Sequence, residues 1–271
     1  MHFATTFDIL ITKNPQEKIK KFENYYQKFK NNNVIFESDF SAPELQTPSY
    51  ESFTHQILPK EAKKRNKLDS NEGKILLLHT IAHIEYSAID LALDASCRFT
   101  KMPQKFYEDW LEVAEDEIRH FLMIEKLLNE LGAYYGDLAV HNNLFLAMQK
   151  TPNLLERMAI VPRYLEANGL EQNPKIIKKL SGTPDAFNQK IEKALNIILE
   201  EEIDHVKKGD FWFRFECEKF GLEPQTTYLE ILEKFYPGST QKKYELNFEA
   251  RKKAGFSCDE LKIISKQDNC H

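Results

Sequence analysis

From residue 71 onward, apolar side chains recur every three or four positions, the period of helices that bury one face. Between Asn71 and Phe99 the line runs through Ile75, Leu78, Ala82, Ile89, Ala92 and Ser96, and Glu85 falls on it. After the break Phe99-Thr100-Lys101-Met102-Pro103, a second helix is predicted to run to Leu131 and stop at Gly132. Its stripe is Tyr107, Leu111, Ala114, Phe121, Ile124 and Leu128. The crossover Ala133–Lys150 is long enough to span a bundle before a third helix begins near Thr151-Pro152. There Leu155, Met158, Ala159, Pro162 and Leu165 form the inward line, Glu166 extends it, and Pro162 predicts a kink one turn earlier. Gly169, Pro174 and Ser181-Gly182-Thr183-Pro184 predict a broken connection, and a fourth helix follows from Asp185 to Phe220 through Ile191, Leu195, Ile198 and Gly209. Four amphipathic helices with short, long and short connections predict an all-α four-helix bundle with one long crossover.

The flanks are simpler. Asn14-Pro15-Gln16-Glu17 places a capping residue, a first-turn proline and a third-position glutamate, so a helix is expected from there to Tyr26 or Phe29. Residues 31–50 read as an irregular arm with no chemistry of its own, and the tail after Gly221 as two shorter helices. The expected organisation is a flank over 1–70, one principal domain over 71–220 and a helical extension over 221–271.

A net charge of -5 and a pI near 6.0 give no general attraction to nucleic acid or anionic lipid, and the basic run Lys60–Lys67 reads as a solvated helix face. The N-terminus lacks the pattern of a secretory signal and no stretch of about 18 apolar residues is evident, so a soluble cytoplasmic protein without a membrane partner is expected. Cys97, Cys217, Cys258 and Cys270 form no C-x-x-C pair and read as reduced thiols, Cys270 as mere tail.

Chemistry enters with two tetrapeptides, Glu117-Ile118-Arg119-His120 and Glu202-Ile203-Asp204-His205. Such a motif arises by chance in a glutamate-rich chain, but here each i, i+3 pair lies on the apolar stripe of its helix. A carboxylate turned into a core without a partner costs several kcal/mol or takes up a proton, so inward Glu85, Glu117, Glu166 and Glu202 call for a cation. Glu85 and Glu117 are equidistant from Lys101, and Glu166 and Glu202 from Pro184, so all six groups can share one layer of antiparallel helices. Four carboxylates balance two divalent ions, with neutral His120 and His205 completing the set. Glu156 competes with Glu166, but ten residues turn a helix by about 280° and move it off the stripe.

The runs AHIEYSAIDLALDA (82–95), EDEIRHF (115–121), RMAIVPRYLEANGL (157–170) and EEEIDHV (200–206) resemble a bacterial ferritin-like family of unknown function, some of whose members carry a rhamnosyltransferase label. The resemblance covers roughly residues 70 to 215. It implies a ferritin-like fold and a di-metal centre in which Glu117 and Glu202 bridge, His120 and His205 each bind one ion, and Glu85 and Glu166 are terminal ligands. Asp116 and Glu201 then stand where each could accept from the histidine on the facing helix, as in the di-iron oxygenases this arrangement resembles.

Tyr86 reads either as a redox or hydrogen-bonding group beside the metals or as a core aromatic. His79 and His83 lie off the Glu85 line and read as core or supporting histidines, and His141 lines an entrance or caps a helix. No phosphate loop, nucleophile elbow or nucleotide-binding alternation is present, so a glycosyltransferase has no visible donor site. The expectation is an oxygen-activating oxidoreductase, a di-iron oxidase or hydroxylase with a small organic substrate. Iron is the first choice of metal, and manganese or a mixed iron/manganese pair fits the same ligands. The alternatives are non-enzymatic iron or manganese binding, storage or oxidative-stress protection, and a helical scaffold with a vestigial site. RNA modification is disfavoured by the absent basic-aromatic stripe, and a homodimer is the default partner from the frequency of two-fold symmetry.

Overall fold

Several helix starts follow local capping chemistry. In the computed structural model, which describes all residues except 59–60, 62–67, 183–184, 240–244, 267–269 and 271, the described residues are mostly helical and form no strand, apart from one isolated bridge between Gln56 and Val140. The basic run Lys60–Lys67, save Glu61, and the Thr183-Pro184 pair lie outside the described residues. The helices are α1 (Phe3–Leu10), α2 (Pro15–Lys30), α3 (Asn71–Arg98), α4 (Gln104–Glu130), α5 (Asn143–Lys150), α6 (Leu154–Ile160), α7 (Gly169–Ser181), α8 (Ala186–Phe220), α9 (Pro224–Phe235), α10 (Phe248–Lys253) and α11 (Cys258–Ser265). A π-helical turn (Val161–Leu165) and a 3₁₀ turn (Glu166–Asn168) join α6 to α7. The chain divides into two compact units, Met1–Gln149 and Lys150–His271.

In the first unit Asn14 caps α2 by accepting from the Glu17 N–H, and Ser70 caps α3 by accepting from Gly73. α3 and α4 form a long hairpin, and Gly132, at φ +76°, closes α4 in the left-handed conformation expected of a stop. α3 is long and apolar enough to cross a membrane by length and composition, which corrects the expectation that no such stretch exists. Of that window 78% is buried, as in the core helix of a soluble protein. The sequence reading had no α1. It forms because Glu37, from the irregular arm, accepts from the N–H groups of His2, Phe3 and Ala4 at its N-terminus. The arm therefore does carry structural chemistry. It also brings Ser49 to Asp90, which forms a buried ion pair with Lys18.

In the second unit α6, the π turn and α7 run along α8, which Asp185 caps by accepting from Phe187 and Asn188. Where a broken connection was expected, residues 169–181 are helical despite Pro174. Proline there has no N–H for the Leu170 carbonyl, and Asn247 Nδ2 donates to that carbonyl instead at 3.1 Å. Pro162 does not simply kink the helix but stands inside the π turn, and its ring meets Gly209 of α8 so closely that an added Cβ would lie 2.3 Å from it. Among the described residues the tail holds three helices where two were expected. Cys258 and Cys270 are joined by a disulfide, which corrects the reading of four reduced thiols; Cys97 and Cys217 are buried and outside the disulfide. Cysteines outside a C-x-x-C pattern gave no sign that a twelve-residue separation would fold back on itself.

Candidate metal centre

Sixteen residues on either side of Lys101, the α3/α4 hairpin brings Glu85 level with Glu117, and the 3.6-residue period adds His120 to the same face. All three are buried and offer ligand atoms within 4.8 Å of one another, a group that could hold a metal ion. His120 Nδ1 lies 3.2 Å from Glu85 Oε2 and 3.6 Å from Glu117 Oε2. Glu85 Oε2 is sealed from solvent and accepts no hydrogen bond of good geometry among the described residues. Two carboxylates and an imidazole are a hard oxygen and nitrogen donor set, so the residues present fit a divalent ion of the iron or manganese type.

The electrostatics describe what holds the group together when a proton takes the place of an ion. Burial pushes the Glu85 carboxyl up to about 7, with the charge of Glu117 adding to the rise and His120 opposing it. Burial works against a charged His120, but its contacts with Glu117 and Glu85 outweigh that and raise the imidazole to about 12. Above neutrality one buried proton therefore sits among these three groups, a role that a cation fills with more charge.

In the second unit the other tetrapeptide has the same design. Glu202 and His205 are buried on one face of α8, with His205 Nδ1 3.9 Å from Glu202 Oε2. Glu166 opens the 3₁₀ turn and is half-buried, with its Oε2 shielded from solvent. Glu156 is engaged elsewhere, taking Lys234 and the Asn153 side-chain amide. A π turn takes in one extra residue, so the α-helical separation of about 280° between Glu156 and Glu166 becomes about 180°, opposite faces.

Asp116 pairs with Arg119 on its own helix, and Glu201 is half-buried beside Glu202. Tyr86 turns away into a cluster of rings, 5.1 Å from Phe121 and 5.4 Å from Tyr135, where burial raises its phenol far above the ordinary value. His79 accepts from the Gly136 and Leu138 N–H groups through Nε2, and His83 bonds Tyr135 and the His141 carbonyl, so both tie α3 to the crossover.

Two sets of buried charges escaped the sequence reading. Lys18 and Asp90 are one; the sign was an aspartate inside the long apolar helix α3. The other holds the segment that carries Glu166. Arg163, fully buried between Tyr228, Phe256 and Phe213, donates to Asp210 at 2.6 Å and Glu260 at 2.7 Å, while Tyr228 donates to its carbonyl. Arg251 makes two bonds to Glu171 and a third to the Ala167 carbonyl. The C-terminal helices thus frame the π turn from several sides.

Fold and site together define an all-helical protein with a buried carboxylate–imidazole group able to hold a metal ion. Residues 11–262 match the family described as "Protein of unknown function (DUF455)", and the chain belongs to that family. An "Uncharacterized protein" of Haemophilus influenzae (strain ATCC 51907 / DSM 11121 / KW20 / Rd) is 36% identical over 266 residues, covering 94% of this chain and 90% of its own length. No solved structure matches the chain significantly.

Proposed function

We propose that the chain is a ferritin-like di-metal carboxylate protein whose two ions, iron before manganese or a mixed pair, are held by Glu85, Glu117, His120, Glu166, Glu202 and His205. The observation that carries this reading is the buried Glu85–Glu117–His120 group, with charge and geometry that a cation satisfies better than a proton. The repeat of the same i, i+3 pair at Glu202 and His205 supports a second, equivalent half. Bound iron would supply redox electrons and Lewis acidity, the basis for reading the protein as an oxygen-activating oxidoreductase with a small organic substrate. The chain's own part is to gather the carboxylates and imidazoles on facing positions, to keep water from them by burial, and to hold each imidazole by its neighbours. Asp116 and Glu201 stand as acceptors for the second ring nitrogens. A cytoplasmic setting fits the soluble character of the fold.

Metal content by mass spectrometry, on protein purified without a metal-affinity tag, tests the reading. About two iron or manganese ions per chain are expected, lost in Glu117→Ala plus Glu202→Ala. Metal-free protein after anaerobic reconstitution with Fe(II) or Mn(II) would remove both the centre and the oxidative chemistry. Oxygen uptake by the iron-loaded protein separates an oxidoreductase from a storage role, which instead oxidises added Fe(II) beyond the two-site amount.

A further inference from the structure

We propose that Cys258 and Cys270 are a reversible thiol–disulfide switch that sets how firmly the Glu166-bearing π turn is held. The bond closes a loop around α11, and both cysteines are half-buried, within reach of a reductant, whereas Cys97 and Cys217 are fully enclosed. Cys258 is the first residue of α11 and Cys270 lies beyond its end, so the bond ties together the two ends of this helix. A small-thiol or dithiol reductant attacks one sulfur, the S–S bond breaks to a mixed disulfide, and a second thiol resolves it. The protein gains two electrons and two protons as the reductant becomes a disulfide. In a reducing compartment such a bond is transient and sensing rather than a permanent staple.

What the bond holds is specific. Two residues beyond Cys258, Glu260 closes a capping box with Ser257 and places one carboxylate oxygen on Arg163 and the other on Arg214. Arg163 is the central residue of the π turn, three before Glu166, and its guanidinium is wholly buried. α11 has eight residues, too short to persist without tertiary anchors. With the loop closed it stays docked through Leu261 and Ile264. With the loop open its docking weakens, Glu260 withdraws, and Arg163 keeps only Asp210 of its two carboxylate partners. Arg163 is thus a positioning residue. The consequence for a metal ligand rests on the di-metal reading, but the mechanical coupling from disulfide to π turn does not.

The test equilibrates full-length, tag-free protein in glutathione buffers of graded ratio. Alkylation mass spectrometry reads the cysteine state, and hydrogen exchange is followed at residues 163–168. Exchange there is expected to rise about tenfold on reduction, with Cys270→Ser fixed at the reduced level and Glu260→Gln raised in both states. Two results overturn the switch: a disulfide that stays closed in every buffer, or faster exchange confined to residues 258–270. Metal content of the same samples keeps the two proposals apart. A redox-dependent π turn in metal-free protein upholds the switch against the metal reading, and bound metal with a redox-indifferent turn does the reverse.

Discussion

His120 carries a proton that an incoming ion must displace. Because burial raises Glu85 to about 7 while Glu117 and Glu85 hold the His120 proton up to about 12, both groups are protonated below neutrality and only the imidazole above it. Metal uptake should therefore weaken as pH falls through about 7, and calorimetry in buffers of different ionisation enthalpy should count about two protons released per ion below that point and about one above it. A proton count that does not change with pH would contradict the shared-proton description. At the same scale, Glu166→Gln should lower metal stoichiometry. Glu156→Gln, which removes only the Lys234 ion pair, should leave it unchanged within experimental error and cost at most about 1 kcal/mol.

Elements show where sequence suffices and where it fails. The hairpin of α3 and α4, the start of α2 at Pro15, the start of α8 after Asp185 and the stop at Gly132 were all legible, because caps and apolar period are local signals. Residues 169–181 were not, because what makes Pro174 tolerable is an asparagine side chain 73 positions away that takes over the orphaned carbonyl. The π turn was hidden for a similar reason. Pro162 announced a disturbance, but its form depends on the space that Gly209 leaves on α8. Gly209→Ala is accordingly expected to destabilise the protein by about 1–3 kcal/mol, against the usual gain from alanine in a helix, and chemical denaturation would measure it. A more stable variant would mean that the ring can move aside.

For the molecule as a whole, the buried group Glu85–Glu117–His120 was readable from spacing, whereas the disulfide and the Arg163 and Arg251 clamps were not, since each joins positions that only the tertiary fold brings close. If the folded chain alone binds metal, a hundredfold excess over Kd should add about 2.7 kcal/mol and raise Tm by on the order of 5 °C or more, reversed by a chelator and absent from Glu117→Ala plus Glu202→Ala. An unchanged Tm would argue against a site of useful affinity. The buried Lys18–Asp90 pair has a further consequence, one for descent rather than stability. A lineage that loses either charge alone leaves the other stranded in the core, at a cost of about 3–5 kcal/mol, while exchanging both for apolar side chains is close to neutral. Positions 18 and 90 should therefore change as a couple across the family, passing from lysine and aspartate to two hydrophobic residues with few surviving halfway forms.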